Sequence, residues 1–324
     1  MTTTTTTQTD RLTHLDFRPV LSSPEFRHSL AGMGAGCISS LVTVPLDVVK
    51  IRLQNQGALK PGQLEHPYKG TFGTLKTIWL QGGIRGLYRG IGPTLCGYIP
   101  TWGFYFTAYD YGKRYYSTRL KRKPEDSLVH LMSAMSAGLL STAITNPLWV
   151  IRTRFMTQSR ATAYHYSSTW SAFATIIRVE GWRTLYKGLG PSLLGVSHVC
   201  VQFPLYEKLK SWIQENQHGT PLVKHDGWIS GYGILLASGI SKMVASTATY
   251  PHEVLRTRLQ TQTHASELKY RGLIHTVRVI LHEEGVSALY KGLPTNLIRT
   301  VPAAAITILT YETLSAQLHI LSAT

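Results

Sequence analysis

The sequence predicts an all-α membrane protein with six spanning helices laid out as three repeats. Three observations predict it: charge-free runs of membrane length, a pair of motifs that recurs three times, and a proline at the end of every second apolar run. Residues 28–46, 90–109, 127–151 and 188–206 contain no Asp, Glu, Lys or Arg. Each is close to the roughly 20 residues a helix needs to cross a hydrocarbon core of about 30 Å. Two further runs are interrupted by a cation: residues 227–252 by Lys242, and residues 292–311 by Arg299.

The repeat is read from two motifs. PLDVVKIRLQ begins at Pro45, PLWVIRTRFM at Pro147 and PHEVLRTRLQ at Pro251. Each is followed by a second motif, GGIRGLYRG ending at Gly90, EGWRTLYKG ending at Gly188 and EGVSALYKG ending at Gly292. A fixed period of this kind marks one structural unit copied along the chain. In each unit a long apolar helix precedes the proline. A basic loop with a short amphipathic segment follows, TFGTLKTIWL in the first copy, and a second apolar helix begins after Tyr-Lys/Arg-Gly. Proline is tolerated in membrane helices where other groups satisfy the freed carbonyl. Small residues ahead of it, such as Gly32, Gly34 and Gly36, suit close helix packing.

The chain carries 33 Lys and Arg against 17 Asp and Glu, which suits an anionic partner. Cys37, Cys96 and Cys200 lie far apart in apolar stretches, so neither a metal site nor a disulfide framework is expected. The polar start, MTTTTTTQTD, reads as a disordered tail and carries neither a signal-peptide core nor an Arg-rich presequence.

A threefold Pro-x-acid-x-x-base-x-base motif, followed by acid-Gly-x4-aromatic-base-Gly, resembles the mitochondrial carrier family over about residues 26–320. The resemblance implies a pseudo-threefold bundle around a central cavity with three short matrix helices. It also implies residence in the mitochondrial inner membrane with both termini in the intermembrane space. The expected organisation is a polar tail at 1–25 and carrier repeats at 26–122, 123–218 and 226–320. Residues 48–89 hold seven Lys or Arg and one acid, in line with matrix-facing basic loops.

The resemblance assigns two gates. Asp47, Lys50, Arg152, Glu253 and Arg256 would close the matrix side, each acid pairing with the base of the next repeat: Asp47 with Arg152, Glu253 with Lys50. Gln54 and Gln260 resemble the family's braces, and Met156 stands where the third would be. Asp110, Lys113, Glu207, Lys210 and Glu312 resemble the opposite, cytoplasmic gate, with Ser315 in place of its last base. Trp149 occupies the acid position of repeat 2. It either holds Arg256 by a cation–π contact or packs as an ordinary tryptophan. Among carriers, this tryptophan is similar to the branch that moves NAD, flavin, folate and pyrimidine nucleotides.

Residues that break the threefold pattern are expected to serve an asymmetric substrate. GYIPTWGFYF places Gly97, Tyr98, Thr101 and Trp102 on one helical face, and LLGVSHVCVQFP places Leu194, Gly195 and His198 on another. Alignment to the family's gate motifs puts Gly97, Leu194, Gly195 and Arg299 at contact positions. An arginine inside a membrane span is a functional candidate, and its planar fork suits a pyrophosphate. The aromatics either stack on a base or pack the helix; His198 either meets ligand or bonds a helix. Lys242 stands where the other repeats have Gly36 and Gly138, and it either faces a wet cavity or snorkels outward. The glycines that open helices (Gly70, Gly90, Gly188, Gly272 and Gly292) resemble the family's cardiolipin sites, or are plain helix starts.

The expected function is NAD+ import by alternating access, as uniport or nucleotide exchange, in a monomer with no cofactor. A pyrimidine nucleotide, FAD or folate substrate, or a carrier-fold receptor without transport, are the alternatives. Nucleic-acid binding leaves the uncharged runs unexplained. An enzyme is not expected, because HEEG at His282 lacks the second zinc histidine and no phosphate loop or nucleophile elbow is present.

Overall fold

The computed structural model describes residues 24–58, 68–159, 162, 164–217, 227–263 and 269–323; the polar start of the chain lies outside them. Among the described residues every regular element is helical. The long helices are α1 (Pro24–Asn55), α3 (Ile91–Leu120), α4 (Ser127–Thr157), α7 (His198–Gln217), α8 (Gly227–Thr249) and α11 (Leu293–Ala323). Between them lie α2 (Gly70–Leu87), α5 (Thr169–Glu180), α6 (Leu189–Gly195), α9 (Pro251–Thr261) and α10 (Leu273–Glu284).

α1, α3, α4 and α11 each follow one of the six apolar runs, but the other two runs depart from a continuous span. The run over 188–206 is broken between α6 and α7. There the Val196 and Ser197 amides bond the carbonyls of Leu193 and Leu194 in tight i−3 turns. Ser197 Oγ and His198 Nδ1 reach the Leu194 and Gly195 carbonyls, so side chains take the acceptors a helix would use. The fifth run breaks at Tyr250, ahead of Pro251, whereas Pro45 and Pro147 lie inside α1 and α4. By length and mean hydropathy alone, Leu30–Ala58 and Ser127–Thr157 are apolar enough to cross a membrane. Large apolar side chains nevertheless stand exposed along other helices, among them Ile99, Phe106, Leu236, Val301 and Leu309. That exposure is stable against lipid and unfavourable against water.

Two compact units divide the chain. One joins α1 up to Val42 with α11 from Ala303; the other spans Thr43–Pro302. In the first, a Cβ added to Gly34 would lie 2.7 Å from Leu314 Cδ1, and Ser39 Oγ donates to the Ala303 carbonyl at 2.9 Å. Of the small residues ahead of Pro45, Gly34 allows close helix approach here, whereas a Cβ at Gly32 or Gly36 would meet nothing within 4 Å. In the second, α3 and α4 pack as neighbours. Gly112 faces Ser133, and Tyr116 and Tyr109 bond Ser136 and His130 at 2.7 and 2.6 Å.

Within Thr43–Pro302 the last base of each proline motif is a buried cation. Arg52, Arg154 and Arg258 are buried, the latter two completely. Each donates Nε to a backbone carbonyl of another repeat: Arg52 to Met156 at 3.1 Å, Arg154 to Gln260 at 3.0 Å, Arg258 to Gln54 at 3.1 Å. Each also donates to a tyrosine hydroxyl of its own repeat, Tyr68, Tyr166 or Tyr270. Arg154 grips Glu180 through both terminal nitrogens at 2.5 and 2.9 Å, and Arg258 grips Glu284 likewise.

The glycine of each Tyr-Lys/Arg-Gly motif closes the same interface. Gly90, Gly188 and Gly292 have φ of 85°, 75° and 90°, a region that favours glycine. An added Cβ would meet Met156 Cγ, Gln260 Cγ and the Tyr250 hydroxyl at 2.8, 2.8 and 2.9 Å. Shape alone therefore requires glycine here.

Burial raises the Glu284 carboxyl, but hydrogen bonds from Arg258 and Lys291 outweigh it and hold the group down at about 2, below its ordinary 4.5. A lowered carboxylate stabilises the fold fully above about pH 4.5, and that contribution is lost as pH falls towards 2. Glu284→Gln is expected to cost about 2 kcal/mol at pH 7, the partly exposed side chain reducing the buried-pair value. Melting curves of the two proteins at stepped pH check this; the gap should narrow below pH 4.5 and close near 2.

Candidate functional site

One cluster in Thr43–Pro302 gathers the first base and the acid of the proline motifs. Asp47 sits one turn from Lys50 on α1. The same spacing on α9 presents Glu253 and Arg256, and on α4 it presents Trp149 and Arg152. Arg152 Nη2 lies 2.7 Å from Asp47 Oδ2, and Lys50 Nζ lies 2.6 Å from Glu253 Oε2. The expected inter-repeat pairs are therefore brought together. Both are partly exposed, the Glu253 side chain at 27%, so each is weaker than a sealed ion pair.

The third pair is replaced by an aromatic contact. The Trp149 ring lies 5.1 Å from the Arg152 guanidinium and 5.8 Å from that of Arg256, while Trp149 Nε1 donates to Thr145 at 3.2 Å. One ring thus faces two cations, where the sequence suggested one. Gln54 acts as a bridge, donating to Tyr250 and Glu253 and accepting from Thr257. Gln260 accepts from Thr153 at 2.7 Å, but its Nε2 is buried without a partner, because Trp149 offers no carboxylate. Met156 fills the third position as a buried apolar side chain.

Arg299 of α11 joins this cluster. Its Nε lies 3.2 Å from Asp47 Oδ1 without hydrogen-bond alignment, so Asp47 faces two guanidiniums. Tyr98 meets Trp149 edge-on at 6.1 Å, and Gly97 packs near Leu148. Trp102 parts from them: it stacks on Phe106 at 5.5 Å and meets Tyr105 edge-on. The Thr101 hydroxyl returns to the Gly97 carbonyl. Leu194 is exposed, and a Cβ on Gly195 would lie 2.5 Å from His252 Nε2. His198 is engaged by the Gly195 carbonyl. Lys242 is exposed on α8 and has no ion-pair partner among the described residues.

Three contributors lay outside the sequence reading. Thr94 accepts from Arg152 Nε at 2.9 Å, Asn296 accepts from Lys50 at 2.9 Å, and Tyr250 accepts from Gln54. The recurring Pro-Thr/Ser of Pro93-Thr94, Pro191-Ser192 and Pro294-Thr295 was a signal for the first. Asn296 stands where the other repeats have Leu95 and Leu193, a break in symmetry one turn from Arg299.

The opposite set is in another condition. Asp110, Lys113, Glu207 and Lys210 form no ion pair with one another, and Lys210 instead lies 5.9 Å from the Tyr206 ring. In the other unit Glu312 is exposed on α11. Of the helix-opening glycines, Gly188 and Gly272 line a shared groove of about 300 Å³ with Lys187 and Tyr270. Gly70 and Gly272 have positive φ with open space at the Cβ position, unlike the three packed glycines.

A match to the family described as mitochondrial carrier protein covers residues 22–120, 123–217 and 227–320. Mitochondrial nicotinamide adenine dinucleotide transporter 1 of Saccharomyces cerevisiae is 40% identical over 291 residues, covering 88% of this chain and 75% of the relative. The chloroplastic nicotinamide adenine dinucleotide transporter 1 of Arabidopsis thaliana is 39% identical over 286 residues, 88% and 89% of the two chains. The mitochondrial pyrimidine nucleotide transporter of Saccharomyces cerevisiae is 35% identical over 319 residues, 88% and 84%.

Trp149→Leu removes the ring from two guanidiniums while keeping an apolar side chain. The expected loss is about 1–2 kcal/mol. Thermal melting checks it, with Trp149→Phe retaining part of the contact.

Proposed function

The chain belongs to the mitochondrial carrier family, and on that premise we propose that it moves NAD+ across the mitochondrial inner membrane by alternating access. The observation that carries this reading is the composition of the paired cluster. Among the described residues, Lys50, Arg152, Arg256 and Arg299 share two carboxylates, Asp47 and Glu253, with Trp149 and Tyr98 beside them. Excess positive charge attracts a pyrophosphate, whose oxygens match the guanidinium fork. The aromatic faces suit a base or nicotinamide ring, at about 1–3 kcal/mol per stacked base.

Arg299 gives substrate and gate a common element. A phosphate bound to it competes with Asp47, leaving that carboxylate to Arg152 alone. Substrate binding then exchanges the Arg299–Asp47 contact of the closing set for one between Arg299 and the substrate's own phosphate. The proline-motif pairs are formed while Asp110, Lys113, Glu207 and Lys210 stand unpaired, as an alternating cycle requires of one of its states. Gly97, Leu194, Gly195, His198 and Lys242 extend the proposed contact surface, whereas Trp102 fits helix packing better.

Exchange for another nucleotide, a monomeric carrier and termini in the intermembrane space complete the proposal, the last supported by the basic loops. Lipid headgroups of the cardiolipin type fit the groove beside Gly188 and Gly272. A pyrimidine nucleotide is the second reading, favoured by the 35% identical relative and served by the same cations.

Reconstituted liposomes loaded with nucleotide, assayed for labelled NAD+ uptake in competition with UTP, FAD, folate and AMP, test the substrate. NAD+ should compete best; preference for UTP would transfer the proposal to pyrimidine nucleotides. Arg299→Ala should reduce NAD+ uptake about 10- to 100-fold, the loss of a charge-assisted contact. Its melting temperature should stay close to wild type, because Asp47 keeps Arg152. Undiminished uptake would remove Arg299 from the site.

A further inference from the structure

Repeat 1 lacks a carboxylate that the other two repeats hold against their deep arginine. In repeats 2 and 3 the deep arginine meets a glutamate at the end of a short helix: Arg154 with Glu180, Arg258 with Glu284. The lysine of Tyr-Lys-Gly approaches the same carboxylate, Lys187 at 4.0 Å and Lys291 at 2.8 Å. Counted back from the motif glycine, the position of Glu180 and Glu284 falls on Gly82 in repeat 1. Arg52 and Arg89 are the two cations there.

The surrounding geometry is kept although the anion is gone. The following glycine has positive φ in all three repeats, 55° at Gly83, 85° at Gly181 and 76° at Gly285. Arg52 Nη2 and Arg89 Nη1 share the Gln158 carbonyl at 2.9 and 2.5 Å. Arg154 Nη2 and Lys187 Nζ share the Gln262 carbonyl at 3.1 and 3.2 Å in the same way. A Cβ added at Gly82 would meet nothing within 4 Å, so the space is open. Among the described residues neither Arg52 nor Arg89 has a carboxylate partner, and Arg52 is only 4% exposed. Burial, then the Arg52 charge, push the Arg89 guanidinium below its ordinary value. Two guanidiniums sharing a neutral carbonyl leave their charge uncompensated, a costly arrangement unless an anion enters.

We infer that Arg52 and Arg89 bind a small oxyanion of the phosphate class, whose oxygens occupy the place of the absent glutamate carboxylate. Guanidinium forks take such oxygens in paired, charge-assisted bonds. The oxyanion comes either as a free ion or as a lipid phosphate, and both present the same chemistry. The inference does not depend on which nucleotide is carried.

The full chain in neutral detergent is melted at constant ionic strength with inorganic phosphate, or with mixed micelles containing phosphatidic acid. Wild type should gain about 2 °C at saturating probe. Gly82→Glu should melt above wild type without any probe and lose the gain. Arg89→Gln should lose the gain as well, and it keeps the test intact if Gly82→Glu fails to fold. Arg299→Ala should retain the gain, which separates this place from the substrate region. A gain with inorganic phosphate identifies a free ion as sufficient. A gain with phosphatidic acid alone, lost in both variants, assigns the same place to a lipid phosphate. The proposal is overturned by an equal gain in wild type and Gly82→Glu, by no gain with either probe, or by loss of the gain in Arg299→Ala.

Discussion

Three arginine side chains without water to solvate them constrain the proline-motif end of this molecule. Arg52, Arg154 and Arg258 are buried, and each donates Nε across to the backbone of another repeat. A buried guanidinium demands acceptors in fixed directions, so it specifies register more than it adds net stability. Because each accepting carbonyl belongs to another repeat, each repeat is positioned by its neighbour. The glycines at 90, 188 and 292 then seat against the same residues, where no other side chain fits.

Next to this rigid set lies a softer one. Asp47–Arg152 and Lys50–Glu253 join the same repeats but keep some contact with solvent. An interaction that must break in every transport cycle has to be weak enough for substrate to overcome. Trp149 tunes it further, since a ring facing two guanidiniums replaces a carboxylate without neutralising either charge. The remaining positive charge is what an anionic substrate can use. Difference from symmetry, in Trp149, Arg299 and Asn296, is therefore where chemistry specific to this chain concentrates.

The threefold repeat was legible from spacing. The family resemblance that its motifs carry implied that Asp47, Lys50, Arg152, Glu253 and Arg256 come together, and the structure places them in one cluster. The role of the second base was not legible. Arg52, Arg154 and Arg258 stood in the sequence only as the last base of each motif, because a sequence does not reveal which of two cations two residues apart points inward. Thr94 and Asn296 were missed for a related reason: their importance lies in acceptor atoms supplied across repeats. The break between Gly195 and His198 was hidden inside an uncharged run, since hydropathy is blind to hydroxyls and imidazoles that take helix carbonyls. Trp102 was grouped with Tyr98 by helical spacing, yet its nearest rings belong to the next turn of α3. The cause of Gly82 became visible only when its two sister glutamates were seen gripping buried arginines.

The central claim is that inter-repeat ion pairs at the proline motifs form a latch that opens for substrate. Exchanging the partners of one pair tests it most directly, by measuring NAD+ uptake and melting temperature for Lys50→Glu, Glu253→Lys and the double exchange. The account predicts that each single change places like charges together and impairs both properties, and that the double exchange recovers most of each. A double exchange no better than the worse single variant would contradict it.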